Sequence, residues 1–297
     1  MQCGGFRNDL PPRVTTPFPV NTSNPVEVEK FTRGVLTRLY PGASFGCMET
    51  AFRDVTRLFA GDHPAYGPND LRYHNLEHTL QATVCLVEIL AGRHATGVEP
   101  YVESRAFELA VVSALLHDSG YQKLLFDTEG TGAKYTFFHV LRSCAFAASY
   151  LPTIGVNSVE VEQVLGAINC TGPAGKIGRL SFPTSAGLII GCALTTADYL
   201  AQFAAPDYPD KLGALYREFR ESDEFMNRSP AELSFSSEQD LADHTPAFWE
   251  HFVRPHLDRE FQGLYRFLAN PYPDGPNRYL QAAEQNIEII RSRPVAG

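Results

Sequence analysis

The segment Tyr73-His74-Asn75-Leu76-Glu77-His78, continued by Leu80, Val84, Leu86, Val87 and Leu90, decides the fold class. Apolar side chains recurring at helical spacing read as the buried face of an α-helix. Within such a helix His74 and His78 would project from one face, a turn apart. The same spacing appears upstream at Val28, Phe31, Val35 and Leu39, and again at Phe45, Met48, Phe52, Val55 and Leu58. Period-two alternation bounded by hairpin turns is not found anywhere in the chain. The expected fold is all-α.

Further along, Phe107 to Leu116 reads as a buried helix that Gly120 could close with a left-handed cap. A connector, Gly130-Thr131-Gly132-Ala133-Lys134, precedes a helix from Phe137 to Leu151. Ser158 is placed to cap a helix from Val159 to Ile168, and Thr184 or Ser185 to start a long apolar helix carrying Asp198. Helices are also expected over Lys211 to Arg220, over Thr245 to Leu268 with interruptions at Pro246 and Pro255, and over Arg278 to Arg293. Residues 1–25, with Pro11, Pro12, Pro17, Pro19 and Pro25, read as an extended arm that wraps the body or is disordered. Without an internal repeat or a dividing linker, residues 26–297 are expected to form one compact multi-helix domain.

At 297 residues, 44% hydrophobic and 20% charged, the chain can bury a sizeable core. Its net charge of −9, without a basic run, argues against duplex nucleic acid, whose binding rests on phosphate neutralisation. Cys3, Cys47, Cys85, Cys144, Cys170 and Cys192 are scattered without a CxxC pair and are expected to be buried free thiols of a reducing cytoplasm. The start shows no basic-then-apolar signal pattern. The most apolar stretch, Ala186 to Thr196, is shorter than the ~20 residues of a membrane span. A cytoplasmic protein without a membrane partner is the expectation.

The chemistry concentrates in two polar clusters set against apolar helices. His117-Asp118 follows Ala110-Val111-Val112-Ser113-Ala114-Leu115-Leu116, a run without charge. An imidazole and a carboxylate there need a strong partner to offset desolvation. A cation is the simplest, and mixed imidazole and carboxylate donors suit zinc, iron or manganese better than calcium. Asp198 lies among Ala and Leu residues, where an unpaired carboxylate would be costly.

Tyr73-His74-Asn75-x-x-His78, then His117-Asp118, then a helical Asp198, resembles the HD superfamily of metal-dependent phosphohydrolases. The first element is similar to the signature of its cyclic-nucleotide phosphodiesterase branch. The matching motifs span roughly residues 70–200. The resemblance implies that His78, His117, Asp118 and Asp198 ligate one metal and that His74 is the general acid. It implies a phosphate ester, nucleotide or cyclic nucleotide, as substrate, cleaved by a metal-activated water. One or two divalent transition metals (Fe, Mn or Zn, with Mg possible at a second site) are the expected cofactors.

One departure stands out: where the phosphodiesterases place a further histidine after the doublet, this chain has Tyr121. His139 is the substitute candidate for a second-metal ligand. Arg142, a turn later, is the first candidate phosphate contact, followed by Lys123 and Lys134. Gly130 and Gly132 are a further candidate anion loop. Two other readings keep the metal site: an HD-type di-iron oxygenase or small-nitrile hydratase, favoured by a pocket without those cations, and a non-enzymatic regulatory protein whose metal is structural.

Overall fold

In a computed structural model describing residues 15–172, 177 and 180–293, the segment that decides the fold class becomes helix α3, Leu76–Thr96. Asn75 caps it, its side-chain oxygen accepting the His78 N–H at 3.1 Å, and Gly97 closes it in the left-handed region. Leu80, Val84, Cys85, Leu86, Val87, Ile89 and Leu90 are all buried, so α3 is enclosed on nearly every side. It packs most extensively on α7, Ser185–Ala204, and also on α4, Ser104–Leu116.

Around this centre lie α1 (Pro25–Leu39), α2 (Gly46–Ala60), α5 (His139–Tyr150), α6 (Ser158–Asn169), α8 (Tyr208–Phe225), α9 (Glu238–Phe248), α10 (Arg254–Asp258) and α11 (Arg278–Ser292). The fold is all-α. Among the described residues the only β pairing is an isolated bridge between Tyr66 and Leu124. One apolar core runs through these elements from Phe18 to Ile290.

Several boundaries differ from expectation for local reasons. Asn157, not Ser158, caps α6, through a reciprocal pair with Glu160. Helix α8 extends beyond Lys211 to Arg220 at both ends. The expected helix from Thr245 to Leu268 begins earlier, at Glu238, widens into a π-turn over Trp249–Val253, and breaks where Gln262 and Gly263 take positive φ. Helix α7 is longer than Ala186 to Thr196: it is long and apolar enough to cross a membrane, yet 78% of its apolar window is buried inside the fold. Of the proline-rich arm, residues 1–14 lie outside the described residues, as does Cys3. Pro17 and Phe18 are buried, the Phe18 ring lying edge-on to Tyr279 of α11 at 5.4 Å, so residues 15–24 wrap the body. The five described cysteines are buried and free.

A buried carboxylate ties α2 to α4. Glu108 accepts the Met48 N–H at 3.0 Å with one oxygen and Arg105 at 2.8 Å with the other. Removing the cation would strand that charge, which costs about 3–5 kcal/mol in a fully buried pair. Because Arg105 is 39% exposed, Arg105→Ala is expected to cost about 2 kcal/mol, read as a lower urea midpoint at unchanged slope.

Candidate metal centre

Three helices bring the predicted ligands together. His78 stands in the first turn of α3, His117 caps the C-terminus of α4 with Asp118 immediately after it, and Asp198 sits within α7. The His117 Nδ1 lies 2.7 Å from the Ala114 carbonyl, a contact that requires Nδ1 to be the donor and leaves Nε2 aimed at the carboxylates. His78 Nε2 lies 3.4 Å from Asp118 Oδ2 and 3.2 Å from Asp198 Oδ1; His117 Nε2 lies 3.4 and 3.6 Å from the same two oxygens. An ion about 2.1 Å from each donor separates adjacent ligands by roughly 3.0 Å in an octahedron and 3.4 Å in a tetrahedron. The observed spacing fits one small cation.

The protein leaves these atoms without other work. His117 Nε2 and Asp118 Oδ2 are buried and have no hydrogen-bond partner. Orphaned polar atoms in a core are costly and demand a partner. His78, His117 and Asp118, all buried, form a group that could hold a metal ion, and Asp198 joins it through both imidazoles. Burial alone would discharge the cluster. The negative fields of Asp118 and Asp198 overcome it and push His117 up to about 10. Burial likewise opposes the charge of Asp118 and Asp198, and the facing imidazoles hold both carboxyls below their usual range. The site selects positive charge.

His139 begins α5 and belongs to the same cluster. Its Nδ1 lies 2.7 Å from the Thr136 carbonyl and its Nε2 lies 3.7 Å from Asp118 Oδ1, the oxygen turned away from His78 and His117. Burial lowers its pKa, which favours the neutral imidazole that ligates metals. The two oxygens of Asp118 thus face different histidines.

His74 is not on the helix. It stands one residue before the cap, Asn75, yet its ring is still only 5.8 Å from that of His78. Its Nδ1 pairs with Glu218 Oε2 at 2.7 Å, and the other oxygen of Glu218 accepts the Tyr73 N–H at 2.8 Å. Glu218 comes from α8, in the C-terminal third to which no site role was assigned. The available signal was its position on the apolar face of α8 with Leu212, Leu215 and Ser222, where a carboxylate needs a partner.

The expected phosphate contacts all have partners within the protein. Arg142 donates from Nε to the Gly120 carbonyl at 2.7 Å and from a terminal nitrogen to the Gln122 carbonyl at 2.8 Å, while stacking on Tyr135 at 3.6 Å. It braces the turn after the doublet. Lys134 is buried and donates to Asp127 at 2.5 Å and to the Glu129 carbonyl at 2.6 Å. Lys123 donates to the Gly130 carbonyl and faces Asp70 at 3.6 Å. The glycine loop does bind anions, but they are the protein's own: Thr131 donates to Glu221 and the Gly132 N–H to Asp70 at 2.9 Å.

No protein-family model matches the chain, and no curated protein matches it.

Gly120 is not a left-handed cap; it sits in a short 3₁₀ turn, Ser119–Tyr121, and serves close approach. A Cβ there would lie 1.9 Å from the His139 carbonyl oxygen and 2.7 Å from the Ser143 nitrogen. Gly120→Ala would have to push α5 away, at a cost of about 1–3 kcal/mol. The expected outcome is a lower melting temperature together with weaker metal retention, measured on the same preparation.

Proposed function

We propose that this chain is a metal-dependent phosphohydrolase of the HD kind, acting on a nucleotide or cyclic nucleotide. The observation that carries the reading is the His74–Glu218 pair beside the His78, His117, Asp118 and Asp198 donors. Cleavage of a phosphate ester releases an alkoxide that needs a proton, and a carboxylate-oriented imidazole next to the reacting centre is built to deliver it. The donor set suits iron, manganese or zinc. Bound there, such a cation supplies Lewis acidity toward a phosphoryl oxygen and lowers the pKa of a water nucleophile. His78, His117, Asp118 and Asp198 would hold it. His74 holds the proton for the leaving oxygen.

His139 and the free side of Asp118 would hold a second ion. Metal per chain is then expected to approach two in wild type and to fall toward one in His139→Ala; an unchanged count makes His139 structural. Elemental analysis of protein prepared without chelator, combined with turnover of a panel of phosphodiesters and monoesters, tests the whole reading. Metal-free protein that is stable and active would sink it.

A second reading draws support from one specific observation. Arg142, Lys123 and Lys134 are engaged with internal carbonyls and carboxylates, which reduces what they can offer a phosphate. That favours an HD-type di-iron oxygenase or small-nitrile hydratase. Oxygen uptake, or nitrile turnover by a metal-replete protein inert to every phosphate ester, would decide for it.

A further inference from the structure

Tyr121 stands where the resemblance leads one to expect a histidine, and the fold has built around it. Its ring lies against the His74 imidazole at 4.6 Å with 18° between planes, and against His139 at 4.5 Å with 14°. The side chain is 1% exposed. Its hydroxyl is buried beside Thr136, which donates its own hydroxyl to the Ala133 carbonyl and offers an oxygen to the tyrosine O–H. A hydroxyl sealed in this way has no substrate to meet. The working part of Tyr121 is the ring.

The backbone on either side of that ring is clamped. The Gly120 N–H donates to Ser143 at 2.8 Å, and Arg142 bridges the carbonyls of Gly120 and Gln122. From the other side Gly132 approaches so closely that a Cβ would lie 2.2 Å from the Tyr121 carbonyl oxygen. His74, by contrast, precedes the cap of α3 and has no helical ladder to hold it. A carboxylate fixes the direction of one ring nitrogen but leaves the imidazole free to swing about that hydrogen bond. A flat partner on its face removes the remaining freedom.

We propose that Tyr121 is a positioning residue for His74: its clamped ring sets the plane of the imidazole whose Nδ1 Glu218 holds, so that Nε2 is presented to the substrate. This also accounts for Arg142, whose guanidinium rigidifies the turn that carries the ring. The assignment rests on the general-acid reading of His74 above.

The test uses the full chain with its metal and four variants: Tyr121→Phe, Tyr121→Leu, Tyr121→Met and His74→Ala. Met serves as a flexible filler should Leu fail to fold. Loss of the ring in Leu or Met is expected to lower kcat by about ten- to a hundredfold with KM and metal content unchanged. Tyr121→Phe keeps the ring and should keep turnover and metal content. Combined with His74→Ala, Tyr121→Leu should lower the rate no further, because it acts through the imidazole. The downfield proton resonance of His74 Nδ1–H, followed in the zinc-loaded chain, should persist in Phe and broaden away in Leu or Met.

An equal further loss in the His74→Ala background, or a sharp His74 resonance in both Leu and Met, would overturn the assignment. Should wild type turn over no phosphate ester, the proposed function falls, and the resonance alone decides whether Tyr121 positions His74.

Discussion

Asp118→Ala is expected to empty the metal centre and abolish turnover in a single step. One oxygen of Asp118 lies 3.4 Å from both His78 and His117, and the other lies 3.7 Å from His139, so among the described residues Asp118 meets three of the candidate imidazole donors where Asp198 meets two. The substitution removes a buried charge from a cluster in which only Asp198 would remain to balance a dication. Loss of one partner from a buried ionic group costs about 3–5 kcal/mol, which corresponds to roughly 10²–10⁴ in metal affinity. Metal per chain by elemental analysis should fall toward zero while the helical content by circular dichroism persists. A variant that kept a full complement of metal would remove Asp118 from the ligand set.

His74→Ala is expected to do the opposite with the metal and nearly the same with the rate. A general acid contributes to the transition state and not to ion affinity, so turnover should fall by about 10²–10⁴ at unchanged metal content. Glu218→Gln should give a smaller loss, roughly 10- to 100-fold, because it weakens a charge-assisted hydrogen bond without deleting the proton donor. The pH profile separates the two. Burial opposes the charge of His74, but the hydrogen bond and field of Glu218 outweigh it and raise the pKa above its ordinary value. The protonated donor is therefore fully present at acid pH and is lost as pH rises through that raised pKa. Glu218→Gln should move this falling limb to lower pH. A limb that stayed in place would detach Glu218 from the acid.

The two substitutions together discriminate between ligand and acid. Equal losses of metal and rate in His74→Ala would make His74 a ligand.

By itself the sequence determined the all-α fold and pointed to the buried His/Asp cluster that could hold a metal. Helical spacing is a local property, carried by side chains three or four positions apart, so Leu80 to Leu90 and Phe107 to Leu116 declared their helices without a partner. His78, His117, Asp118 and Asp198 were legible for a related reason, since charged or ligating groups inside apolar runs imply a shared counter-charge. What the side chains were free to do was decided only by tertiary structure. Arg142 and Lys134 look identical in sequence whether they face solvent or brace a turn, and only the fold brings internal carbonyls within reach of both. Glu218 meets His74 across the fold, from a helix whose own pattern names no target. Tyr121 read as a missing histidine until its ring was seen against two imidazoles. The physical reason is common to all three: propensity and burial are encoded along the chain, whereas the satisfaction of a polar group depends on which distant atom packing brings within 3 Å of it.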